Sequence, residues 1–297
     1  MSKFFQTLLV GVYVLLTSYS FAVLLALWGL PVSRPLLWVC CTAWTAYCFS
    51  SAYFRAGIFL AHRHVRRPVK AEEDKLSGCF QEVLRQARII KKFRLLIEEE
   101  MGCNAFAVGL RTIVVTRGSL DKMASEELNA ILAHELGHLQ SKDCLVSSAF
   151  TAASLLPQIV TVIYDKVKFI FLQRVSISET QVRVKIRFRL LVLFIGVLFY
   201  WNPHSVFPLF ATFLFALACR QINRPFLFLW RIISRYREYR QDAYAYQLGY
   251  GKGLRQALVK LTLNEPQFVS LYEILMTGDH PVIYNRIRRL EKLEGLR

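Results

Sequence analysis

The sequence predicts a mainly α-helical integral membrane protein that carries a cytoplasmic α+β region with a short sheet. Three observations carry this expectation. Of 297 residues, 54% are hydrophobic and only 20% charged, with a mean hydropathy of +0.33. Four uncharged runs are long enough to cross the roughly 30 Å hydrocarbon core, which takes about 20 helical residues. The basic excess, 38 Lys and Arg against 21 Asp and Glu for a net charge of +17, is spread over the flanks of those runs and the C-terminal region. A soluble domain of this length is rarely so apolar, and a disordered chain never is. No RNP-like, zinc-finger or basic-helix pattern accompanies the charge, so it reads as an orientation signal for a membrane protein and no nucleic-acid partner is expected. The seven cysteines are odd in number and form no C-x-x-C pair. Neither a disulfide framework nor a Cys-based metal site is expected, which fits a reducing compartment for the polar regions.

Residues 1–61 are expected to form a transmembrane helical hairpin. Its first run, Phe4 to Leu30, is far longer than a signal-peptide core and is expected to stay in the mature protein. Pro31 to Pro35 make a turn, and Leu36 to Phe54 form the second run. Arg55, Arg63, Arg66, Arg67 and Lys70 follow with no acid among them, which places residue 62 onward in the cytoplasm. Within 62–143, Leu76, Phe80, Val83, Leu84, Ala87 and Ile90 have helical spacing and predict a helix over Glu72 to Glu100. Ala105 to Leu110 and Ile113 to Thr116 read as short strands punctuated by Gly102, Asn104 and Gly109. Ser125, followed by Glu126 and Glu127, predicts an N-cap that opens a helix through Leu139.

Residues 144–219 hold two further runs, Cys144 to Tyr164 and Leu190 to Cys219. Two crossings are expected, because an even number brings residues 220–297 back to the cytoplasmic side. The connecting segment Asp165 to Arg189 argues the other way, with seven basic residues against two acids. Asn202, Pro203 and Pro208 also break the last run, so a re-entrant arrangement is the alternative.

His134, Glu135, Leu136, Gly137 and His138 spell H-E-x-x-H. On a helix, two histidines four apart leave one face and can hold a single tetrahedral zinc, while the adjacent carboxylate of Glu135 can take a proton from water and pass it to a leaving amine. A hydrolytic zinc needs a third protein ligand, often a glutamate from another helix. Glu238 is the candidate, with Asp242 one turn on able to accept a ring N–H from a ligating histidine. The alternative for Glu238 is an ordinary ion pair with Arg237 or Arg240.

The chain resembles the membrane-embedded M48 zinc metalloproteases, especially the bacterial HtpX-type proteases. The resemblance rests on the paired N-terminal runs, Asn104-Ala105-Phe106-Ala107, and His134-Glu135-Leu136-Gly137-His138 with Asp143 five residues on. It continues through Glu238 and Asp242 with Ala245, Gly253-Leu254 with Ala257-Leu258 and Lys260-Leu261, and His280-Pro281 with Arg286-Ile287 and Leu290. Arg240 and Gln241 depart from it, since relatives tend to carry smaller residues there. It implies a zincin-like α+β metalloprotease region with one Zn²⁺ per chain on His134, His138 and Glu238, and Glu135 as general base. It also implies support from Asp242, His280 and Arg286, the last two near the developing oxyanion, and a substrate-pairing strand at Asn104, Ala105, Phe106 and Ala107. The expected function is endopeptidase cleavage in membrane-protein quality control, with peptide or membrane-protein substrates, at a multi-pass site in the bacterial inner (plasma) membrane facing the cytoplasm. The alternatives are a CAAX-type protease acting on lipidated peptides and a non-catalytic zinc-binding scaffold.

Overall fold

Apolar helix formers without an internal proline fold Lys3–Leu27 into α1. Its hydroxyls do not stay unpaired in that setting: Thr17 Oγ1 and Ser18 Oγ donate back to the Val14 carbonyl at 3.0 and 2.8 Å. The computed structural model describes residues 3–27, 64–154, 203–262 and 283–296, with scattered positions between 33 and 50 and residues 158 and 162. The second and third apolar runs are therefore described only in part. The connector from Asp165 to Arg189, the first half of the fourth run and His280 lie outside the described residues. Among the described residues, no helix is long and apolar enough to cross a membrane.

The chain divides into two compact units, one of Met1–Leu8, Tyr47–Ala149 and Phe228–Arg297, the other of Leu9–Ala46 and Phe150–Leu227. In the second unit, Tyr13 stacks on Phe150 with ring centroids 4.9 Å apart, packs against Phe226 at 4.8 Å, and donates its hydroxyl to Asn223 Oδ1.

The first unit contains a four-stranded sheet in the order β1-β2-β4-β3, built from Val65–Arg66, Arg94–Glu98, Ala105–Val108 and Thr112–Thr116. β2 and β4 are parallel, and β1 and β3 flank them antiparallel. Gly109, with φ 64°, supplies the left-handed residue that lets β3 turn into β4. β3 is left as an edge, and its entry is pinned from behind. Thr116 Oγ1 donates to the Gly102 carbonyl at 2.7 Å and accepts the Asn104 N–H at 2.8 Å, while Ser119 Oγ donates to the Asn104 carbonyl at 2.8 Å.

Between β1 and β2 runs α2, Lys70–Gln86, whose buried residues Leu76, Cys79, Phe80 and Val83 follow helical spacing. The helix expected to reach Glu100 stops here. Arg88 takes a left-handed φ of 54°, Ile90 on the expected core face is fully exposed, and Leu95 to Ile97 instead fill the middle strand β2. Arg66 of the basic flank clamps α2 to β1, giving paired hydrogen bonds of 2.7 and 2.8 Å to Glu72 and one of 2.5 Å to Glu99. The Arg66 guanidinium holds the Glu72 carboxyl well down, from 4.5 to about 2. A carboxyl depressed on folding contributes stability that is present above its unfolded pKa and is lost as pH falls through the folded one. Wild-type melting temperature is therefore expected to carry an extra acid-limb loss between about pH 4.5 and 2 that is missing in Glu72→Gln, as read by thermal unfolding against pH.

After the short helix α3, Arg117–Lys122, comes the central helix α4, Ser125–Gln140, buried on nearly every side. Its cap lies one residue before the expected Ser125: Ala124 is the N-cap, and Glu127 reaches back to accept the Ala124 N–H at 2.8 Å. Leu128, Leu132 and Leu136 of α4 join Leu76, Phe80, Ile97, Ile113 and Val115 in one core. The 43-residue α5, Pro203–Ala245, leads through a π turn at Tyr246–Tyr250 into α6, Gly251–Thr262, with Gly249 left-handed at φ 87°. α7, Ile283–Leu293, closes the core with Ile283 and Leu290.

α6 crosses α4 at Gly253, where a Cβ would meet the Glu126 carbonyl oxygen at 2.6 Å and the Ala130 Cβ at 3.2 Å. Gly253→Ala is expected to destabilise the protein by about 1–3 kcal/mol. Gly78→Ala, in α2 with nothing within 4 Å, is expected to stabilise it by about 0.5–1 kcal/mol. Paired melting curves check both signs.

Candidate metal centre

One turn of α4 separates His134 from His138, so the two imidazoles leave the same face, with ring centroids 5.0 Å apart. Above them, one turn of α5 presents Glu238 and Asp242. Glu238 lies between the rings, with Oε2 3.4 Å from His134 Nε2 and Oε1 3.4 Å from His138 Nε2. These three side chains form the one cluster among the described residues whose donor atoms all lie within 4.8 Å of one another. Donor atoms around a tetrahedral zinc with bonds of about 2.0–2.2 Å stand roughly 3.4 Å apart, so the two-nitrogen, one-carboxylate set fits that ion in chemistry and spacing.

The far side of each ring is also engaged. His134 Nδ1 is 3.0 Å from Asp242 Oδ1, and His138 Nδ1 is 3.4 Å from Asp143 Oδ2. Asp242 in turn accepts from Arg286 of α7 at 2.9 Å from Nε and 2.6 Å from Nη2, and Arg286 Nη1 is 3.2 Å from Glu238. Asp143 accepts from Arg240 Nη2 at 2.8 and 2.7 Å and from Gln241 Nε2 at 2.7 Å. Apart from Arg240 and His138, whose side chains are 29% and 14% exposed, these groups are buried. Burial lowers the His138 imidazole, but its bonds to Asp143 and Glu238 outweigh that and raise it to about 10. Burial would lift Asp242 as well, yet Arg286 and His134 bring it below the usual carboxylate range.

Glu135 follows His134 on α4 and is 8% exposed. Burial lifts its carboxyl above the ordinary range, opposed by the two imidazoles and by the Ala107 N–H that donates to it. That bond ties the carboxylate to β3. Alternate residues of an edge strand turn their backbone groups outward, and the Thr116 N–H bond to the Asn104 carbonyl sets the phase so that Ala105 and Ala107 do so while Phe106 and Val108 face β4. The Ala105 N–H is already taken by its neighbour Asn104 Oδ1 at 2.9 Å.

The structure thus gathers His134, Glu135, His138, Glu238, Asp242 and Arg286 in one place and lays Asn104, Ala105, Phe106 and Ala107 along the adjoining edge. Arg237 and Arg240, the alternative partners for Glu238, turn to Asp143 instead, at 3.8 and 2.7 Å. Sequence reasoning gave Asp143, Arg240 and Gln241 no role at the centre. The available signal was two long polar residues, Arg240 and Gln241, between the two acids of a candidate ligand-bearing helix. Gly137 makes room for them: a Cβ there would stand 2.5 Å from Gln241 Oε1 and 3.0 Å from Tyr244 Cδ1.

Comparison with known proteins bears on the whole arrangement. The profile described as peptidase family M48 matches residues 70–294. A protease HtpX homolog from Dictyoglomus thermophilum is 27% identical over 258 residues, covering 80% of this chain and 75% of that protein. One from Aquifex aeolicus is 35% identical over 104 residues, which is 34% of each, so the chain spans about a third of that relative's length. The crystal structure of S. mikatae Ste24p superposes with a TM-score of 0.56 at 17% identity, covering 91% of this chain and 61% of that one, a likeness of fold.

Proposed function

This chain belongs to peptidase family M48 and is a metalloprotease, and on that footing we propose that it is a membrane-embedded zinc endopeptidase. Its single Zn²⁺ is held by His134, His138 and Glu238. The observation that carries this reading is the placement of Glu238 3.4 Å from both inward-facing imidazole nitrogens, with Glu135 alongside. Bound there, zinc supplies a Lewis acid that polarises the scissile carbonyl and acidifies water.

The chain's own residues do the rest. Glu135 takes the proton from the attacking water and delivers it to the departing amine. Burial lifts its carboxyl above the ordinary carboxylate range, which makes it the stronger base. Asp242, held by Arg286, accepts the His134 Nδ1 proton and so leaves Nε2 free to ligate. Arg286 is committed to Asp242 and Glu238, which favours this supporting role over direct contact with substrate. An extended peptide adds to β3 at Asn104 to Ala107, donating to the outward carbonyls of Ala105 and Ala107 and replacing the Asn104 side chain on the Ala105 N–H, beside Glu135.

The four uncharged runs and their basic flanks support a multi-pass protein in a bacterial inner membrane with the site facing the cytoplasm. Unfolded membrane-protein segments are the proposed substrates. Detergent-solubilised protein is expected to contain about one zinc per chain and to cleave an unfolded membrane-protein substrate, and to lose both with a chelator. A chelator-insensitive activity, or a protein without zinc, overturns the assignment.

A further inference from the structure

Each metal-facing histidine has an aspartate behind it, and each aspartate has an arginine behind it. The aspartate behind one histidine, Asp242, was foreseeable from the sequence, but Arg286 behind it was not, and neither was the counterpart at His138. There, Asp143 begins the helical residues 143–154 and is only 4% exposed. Both of its oxygens are held. Arg240 Nη2 lies 2.8 Å from Oδ1 and 2.7 Å from Oδ2, and Gln241 Nε2 donates to Oδ2 at 2.7 Å. The same Gln241 amide donates to Ser141 Oγ at 3.1 Å, so both of its N–H bonds are used and its orientation is fixed. Its carbonyl end packs over Gly137 inside the H-E-x-x-H motif, and the residue is 2% exposed. The carboxylate so fixed stands 3.4 Å from His138 Nδ1, the nitrogen turned away from Glu238.

We infer that Arg240 and Gln241 are positioning residues for the metal: acting through Asp143, they hold His138 in the tautomer and ring orientation that present Nε2 to zinc. The inference rests on His138 being a zinc ligand. It also gives Arg240 and Gln241 of α5 a task. They carry a buried carboxylate from one helix to the ligand of another and hold both of its oxygens. An aspartate left to rotate would share its hydrogen bond among neighbours and let the imidazole turn with it. Partners of this kind typically set metal affinity by about 10–100-fold.

The test measures zinc affinity of the full chain in detergent by competition with a chromophoric chelator, the visible spectrum of the Co²⁺-substituted protein, and melting of the metal-free protein. Asp143→Asn is expected to bind zinc about 10–100-fold more weakly. Gln241→Met, which keeps the volume but loses the donor, is expected to weaken binding by about 3–10-fold and to shift the Co²⁺ bands, a fraction of the Asp143 effect. Arg240→Lys, which keeps the charge, is expected to retain more affinity than Arg240→Met. In the Asp143→Asn background, Gln241→Met is expected to add little, because both changes act through one group. Full zinc affinity and an unchanged Co²⁺ spectrum in Gln241→Met and Arg240→Met overturn the inference, whatever happens to melting, and so do effects that add fully to Asp143→Asn. Undiminished zinc binding in His138→Ala is a different failure, since it removes the ligand reading on which the inference stands.

Discussion

Glu135→Gln is expected to lower kcat for peptide hydrolysis by roughly 10²–10⁴-fold while about one zinc per chain stays bound. The substitution keeps the shape of the side chain and its place beside β3, where the Ala107 N–H donates to it. What it removes is the ability to accept a proton. The residue is buried and sits one position from His134, yet it is not in the cluster whose donor atoms converge, so metal binding is expected to survive. Metal analysis and kinetics on the same preparation check both halves. Full activity with zinc retained would remove Glu135 from the reaction, and loss of zinc would make it a ligand instead of a base.

Glu238→Ala is expected to have the largest effect on the metal. It removes the one carboxylate shared by both rings, and zinc affinity is expected to fall by more than the roughly 10–100-fold that loss of an outer partner costs. Activity falls with it. In the metal-free protein His138 titrates near 10, because Asp143 and Glu238 outweigh burial, so zinc has to displace a proton to bind. The sign follows: apparent zinc affinity is expected to rise with pH until that imidazole is neutral without help. Titrations at several pH values, with proton release measured alongside, test this. An affinity independent of pH would mean that the ring enters the complex without giving up a proton.

Much of the centre could be read from the sequence because helical periodicity is local. Positions 134, 135 and 138 share a face of any helix that contains them, and 238 and 242 do the same on another. The contacts behind the two imidazoles are different in kind. Asp143 meets Arg240 across 97 positions and Arg286 meets Asp242 across 44, and no periodicity links them. Asp242 was legible because it repeats the spacing of a ligand-bearing helix; Asp143 follows the motif on a new helix after a turn at Lys142, whose φ is 56°. The missed strand has a similar cause. Leu95, Leu96 and Ile97 follow an apolar pattern that suits a helix, and only pairing with β4 and β1 makes them a strand. Ile90 shows where the pattern misled, since it continues the helical stripe and yet points into solvent.

The order of the ligands along the chain has a consequence for biosynthesis. His134 and His138 emerge from the ribosome 100 and more residues ahead of the glutamate that completes the set at 238, and the arginine that steadies it comes at 286. A chain still short of position 238 holds the two imidazoles and the Glu135 carboxylate without the glutamate that lies between the rings. On the proposed ligand set, proteolytic competence is expected only once the helices that carry Glu238 and Arg286 have docked on α4, so a chain halted before position 238 is expected to hold zinc weakly and to cut nothing.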